Sequence, residues 1–75
     1  MNKDRRKEVK SIYAALQEVK ERLEDVLEEE QDSYDNIPEN LQDTQAAYDS
    51  GEAIDNIDDA IECCSEALEY LDEVI

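Results

Sequence analysis

Seven apolar residues near the C-terminus, Ile54, Ile57, Ile61, Cys64, Leu68, Leu71 and Ile75, follow one another at alternating intervals of three and four. That spacing keeps side chains on one face of an α-helix and scatters them over both faces of a strand, whose period is two. Ala53, Ala60, Ala67 and Val74 edge the same stripe with small side chains. Asp49 or Ser50 is suited to cap such a helix, and Glu52 stands three residues after Asp49 in capping-box spacing. The pattern predicts a helix over 50–75.

The N-terminal half carries a second seam. Val9, Ile12, Leu16, Val19, Leu23 and Val26 alternate in the same way over three heptads. Tyr13, Leu27 and Tyr34 widen it on one flank, and a helix over 4–35 is expected. Asn36-Ile37-Pro38-Glu39-Asn40 interrupts the pattern, because proline disfavours helical backbone in the residue before it and is welcome at a helix start. Residues 36–49 are therefore expected to form a linker, with a short helical turn after Pro38.

Two helices joined by one break predict an all-α antiparallel hairpin, coiled-coil-like, occupying residues 1–75 as a single domain. Each helix can turn only one face to the other, so apolar surface is left over. The expectation is a homodimer closing into a four-helix bundle, or a partner that covers the remainder. At 75 residues one core supplies only about 3–5 kcal/mol, which favours such help.

Charge narrows the choice of partner. Twenty-three acids against seven bases leave a net charge of −16. All seven bases (Lys3, Arg5, Arg6, Lys7, Lys10, Lys20 and Arg22) lie in the first 22 residues, so no base follows Arg22. Long-range repulsion opposes direct binding to nucleic acid or to an anionic membrane. Basic proteins are the expected partners. Antiparallel pairing would set Lys3 to Lys10 beside Glu69, Asp72, Glu73 and the negative end of the second helix.

Little in the chain supports chemistry. There is no His, which removes Ser-His and Cys-His nucleophile systems. Paired carboxylates abound, but a hairpin offers no cleft to set two of them across a bond. Asp32-Ser33-Tyr34-Asp35-Asn36 has oxygen ligands suited to calcium, yet Ile37 and Asp43 stand where a calcium loop needs Gly and Glu. Cys63 and Cys64 are adjacent, unlike zinc ligands, and only Cys64 falls on the seam. Neither catalysis, a cofactor nor a metal centre is expected. No secretory leader is visible at the basic start, no stretch reaches the ~20 apolar residues of a membrane span, and a cytoplasmic location is the default.

One acidic stripe stands apart. Asp55, Asp59, Glu62, Glu66, Glu69 and Glu73 recur at steps of three and four on the second helix, with Asp58 and Asp72 beside them. Like charges four apart cost an isolated helix about 0.2–0.5 kcal/mol per pair. Lysines at alternate positions would have removed that cost. The stripe is either a solvated face in an acid-rich chain or a mimic of phosphates, shaped for a basic nucleic-acid-binding surface.

Several stretches also resemble a group of small acidic proteins of bacteria, mainly Gram-positive, and of their phages and mobile elements. They are Asn2-Lys3 with Arg5-Arg6-Lys7, Glu28-Glu29-Glu30-Gln31, the linker Asp35-Asn36-Ile37-Pro38-Glu39-Asn40-Leu41-Gln42, and Ala53-Ile54-Asp55-Asn56-Ile57 with Ala60-Ile61-Glu62. The linker pattern D-N-x-P-E-x-L-Q is the specific part. The resemblance implies a helical hairpin and a phage or mobile-element setting, not an activity. The leading expectation is thus an acidic protein-interaction module, a DNA mimic acting through the six-residue stripe. The alternative is a structural or assembly coiled coil whose apolar seam mediates oligomerisation.

Overall fold

A computed structural model describes all 75 residues. Helix α1 runs Lys3–Asp35, a single 3-10 turn spans Glu39–Leu41, and helix α2 runs Gln45–Asp72. The two helices pack side by side into a rod of 59 × 14 × 13 Å. Glu30 meets Ser50, Gln31 shares a cleft with Asp58, and Tyr13 shares another with Leu68. Residue numbers fall along α2 as they rise along α1, so the hairpin is antiparallel.

Local chemistry sets the ends of each helix. Asn2 Oδ1 accepts the Arg5 N–H at 2.8 Å and satisfies one orphan donor of the first turn. At the other end Asn36 Nδ2 donates to the Asp32 carbonyl at 2.8 Å, and its own backbone N–H points to the same turn. The Asp32–Asn36 stretch, with its calcium-like composition, is therefore a helix terminus. Pro38 then opens the 3-10 turn, which closes when Leu41 N–H reaches the Pro38 carbonyl at 2.8 Å.

The second helix begins five residues before the expected start. Thr44, not Asp49 or Ser50, is its cap: Thr44 Oγ1 accepts the Ala47 N–H at 3.3 Å and donates to the Leu41 carbonyl at 2.8 Å. Glycine inside a helix costs about 0.5–1 kcal/mol relative to alanine, which argues for a boundary near Gly51. Packing overrides it. Tyr34 lies over Gly51, where a Cβ would come within 3.5 Å of Tyr34 Cε2.

The helices meet along a seam that differs from the expected one on α1. Val9, Tyr13, Leu16, Lys20, Leu23, Leu27 and Glu30 are half-buried, again in alternating steps of four and three. Ile12, Val19 and Val26 are instead exposed, at 48%, 44% and 49%. These three belonged to the expected seam and lie outside the contact with α2. The helix has turned about its own axis so that the Tyr13–Leu27 flank faces inward. On α2 the expected line faces α1 as far as Leu71: Ile54, Ile57, Ile61, Cys64 and Leu71 are half-buried and Leu68 is buried, Ala47 and Ser50 extend it toward the turn, and Ile75, past the helix end at Asp72, is exposed. Only Ala47 and Leu68 are buried in the whole chain, and neither completely. The seam is also partly polar. Lys20 and Glu30 occupy two of its positions, and Ser50 Oγ donates to Glu30 Oε1 at 2.5 Å in the one side-chain hydrogen bond that joins the helices.

Candidate functional site: an unpaired acidic wall on α2

All six carboxylates singled out in the sequence are exposed: Asp55, Asp59, Glu62, Glu66, Glu69 and Glu73. Their spacing carries them along the side of α2 turned away from α1. Successive members rise by about 4.5–6 Å, and the set spans about 27 Å of helix axis. Asp58 and Asp72 are exposed beside them. Helix α1 adds Glu24, Glu28 and Asp32, which line a shallow cleft with Asp58. That cleft holds no grouping of three or more side chains able to enclose a metal ion.

Neutralisation from within the chain is nearly absent. The single ion pair is Lys20 Nζ to Glu24 Oε1 at 4.0 Å, within α1 and well exposed on the acid. No cation of Lys3 to Lys10 pairs with Glu69, Asp72 or Glu73, although the antiparallel arrangement brings those ends together. The two ends lie at the same end of the hairpin, as expected, without an ion pair between them. The acids are also poorly placed for helix stability. The last turns of both helices contain no base, whereas Asp32, Asp35, Glu69 and Asp72 sit at those negative ends.

The two sides of the rod differ in character. On α1 the shoulder on one side of the seam is Lys10, Gln17, Glu24 and Gln31, and on the other Ile12, Val19 and Val26. On α2 the shoulders are Gly51, Asp58, Ser65 and Asp72 against Ala53, Ala60, Ala67 and Val74. One cleft is lined by Gln31 and Asp58, and another by Gln17, Ser65 and Asp72. The polar shoulders share one side, so both apolar shoulders share the opposite side. Sequence periodicity had assigned Ile12, Val19 and Val26 to the interhelix seam and so missed this surface; the signal for it was the extra width of the α1 stripe, which holds more apolar residues than one partner helix can cover.

Cys63 is exposed and Cys64 half-buried, both as free thiols. No helix is long and apolar enough to cross a membrane. No family model, curated protein or solved structure matches the chain. Fold and surface together define an all-α helical hairpin with one acidic wall and one apolar side.

Proposed function

We propose that this chain is an acidic protein-interaction module whose α2 wall occupies the basic nucleic-acid-binding surface of another protein. The observation that carries the reading is that the six carboxylates from Asp55 to Glu73 are all exposed without a single cationic partner. Sixteen net charges over a 59 Å rod amount to one per about 3.7 Å. Duplex B-DNA carries one per about 1.7 Å of axis and each of its strands one per about 3.4 Å, so the rod matches one strand and has about half the density of the duplex. Such a rod presents a groove built for phosphates with a field of the same sign and order, and helix rigidity fixes the charges before contact is made. The carboxylates at helix C-termini support the same reading, since a cationic partner relieves a repulsion that the chain itself leaves unanswered.

The test has two stages. Proteins captured from a bacterial lysate on the immobilised chain are eluted with salt, and each is assayed for binding to labelled duplex DNA in the presence of the free chain. Displacement of the DNA is expected. The triple variant Asp59→Lys, Glu62→Lys, Glu66→Lys should lose roughly 10–100-fold in affinity, because each exposed charge contact contributes about 0.2–1 kcal/mol and reversal adds repulsion. Captured proteins that bind no nucleic acid, or a triple variant that competes as well as the parent, would refute the proposal. A structural or assembly role is the second reading, and the exposed ridge of Ile12, Val19 and Val26 is what favours it.

A further inference from the structure

The apolar side of the rod draws on both helices, and on α1 it is bordered by Arg22 and Asp25, which line a hollow with Val19 and Val26. Helix α2 contains nine acids and no base between Gln45 and Asp72. Yet the column Ala53, Ala60, Ala67, Val74 holds none, and neither does the adjacent column Asn56, Cys63, Tyr70. Facing this furrow of small residues across the seam is the ridge Ile12, Val19, Val26 on α1, each nearly half exposed. Tyr70, at the far edge, is 75% exposed. In a chain with 40% charged residues, an uncharged strip over residues 53–74, ending one heptad short of Asp49 and lying beside an exposed aliphatic ridge, is a surface suited to contact.

The chain exposes 5926 Å². A folded monomer of 8.6 kDa exposes about 4,700 Å² by the relation between area and mass. The excess, about 1,200 Å², comes from the elongation of the 59 × 14 × 13 Å rod as a whole, and a second copy laid alongside would remove part of it from water.

We infer that a second copy of this chain covers that side, with the α1 ridge of each copy seated in the alanine furrow of the other's α2. Shape and charge select this arrangement over its rival. A two-fold axis parallel to the helices, lying between the apolar sides, sets every α1 against an α2 of the partner and makes all neighbours in the resulting four-helix bundle antiparallel. Large side chains then meet small ones. The ridge column continues to Arg5, seven residues before Ile12, and that end meets the partner's α2 C-terminus, where the helix dipole and terminal carboxylate are negative. An axis perpendicular to the helices would instead lay ridge on ridge and α2 on α2, bringing two helices of nine acids each together. In the favoured bundle both acidic walls stay outward, so the dimer displays two copies of the surface proposed above without depending on its function.

Sedimentation and light scattering on the purified chain test the idea with no other protein present, so the result is independent of whether a nucleic-acid-binding partner exists. The parent should have twice the mass of 8.6 kDa. The double variant Val19→Glu, Val26→Glu should be monomeric while circular dichroism shows its helix content retained, since both sites are exposed in the hairpin and glutamate is the better helix former. Ala67→Lys should likewise be monomeric. An equimolar mixture of Val19→Glu and Ala67→Lys chains should recover the dimer, because one copy's ridge carries the acid and the other's furrow the base. A monomeric parent, a dimeric Val19→Glu, Val26→Glu variant with native helix content, or a mixture that stays monomeric would each overturn the inference.

Discussion

Replacing Leu68 with alanine probes the packing on which the hairpin rests. Leu68 is 8% exposed and is one of only two buried residues, the other being the far smaller Ala47. Truncation removes three carbons at about 0.8 kcal/mol each, or about 2.4 kcal/mol. Its surroundings are open, since the cleft beside it is edged by Gln17, Lys20, Ser65 and Asp72. Water and mobile side chains can therefore fill the space, and the cost should stay near the lower end of the 2–5 kcal/mol seen for such changes. Against a total of about 3–5 kcal/mol for a core of this size, that is most of the stability. Each kcal/mol shifts the melting temperature of so small a domain by about 4–8 °C, so a drop of roughly 10–20 °C is expected. Thermal unfolding followed by the far-ultraviolet circular dichroism of the two helices gives the reading. Glu62→Ala on the outer wall is the comparison, expected within about 0.5 kcal/mol of the parent. Equal shifts for the two variants would refute the seam assignment, because an exposed position and a buried one cannot cost the same if α2 faces α1 through Leu68.

Two further outcomes follow from the same geometry. Gly51→Ala should raise stability by about 0.5–1 kcal/mol in urea titration, since the new Cβ meets Tyr34 Cε2 at an ordinary 3.5 Å and the unfolded chain loses freedom; a lower midpoint would show that the tyrosine cannot yield. Sodium chloride should raise the melting temperature steadily as the screening length falls from about 30 Å at 0.01 M to about 3 Å at 1 M. With one ion pair to lose and 23 acids to screen, repulsion is the larger effect, and a fall in melting temperature with salt would show that attractive pairs dominate.

Much of the candidate site could be read before any coordinates. Exposure of Asp55, Asp59, Glu62, Glu66, Glu69 and Glu73 follows from their offset against the Ile54–Leu71 seam, because a helix that buries one line of residues must present the opposite line to solvent. The apolar side was harder to find. It is composed of residues from both helices, and neither Ile12, Val19 and Val26 nor the alanine column betrays from sequence which shoulder of the other helix it will adjoin. The start of α2 was obscured by a different competition. Gly51 with Asp49 and Ser50 makes a good local stop and start, while the stronger anchor, Ala47 at 4% exposed, depends on contacts made only once the chain has turned.

The sequence by itself determined two helices, the break at Asn36–Pro38, the concentration of bases at one end and the excess of acid beyond it. These are properties of spacing, of proline's missing donor and of net charge, and each acts within a turn or two of the residue concerned. Only the tertiary structure decided how α1 is rotated about its axis. Its apolar stripe is wide enough to offer either Ile12, Val19 and Val26 or Tyr13 and Leu27 beside the shared Val9, Leu16 and Leu23, and a 3.6-residue period does not rank the two. Packing against α2 does, because burial depends on what stands opposite, and that choice turned three aliphatic side chains outward.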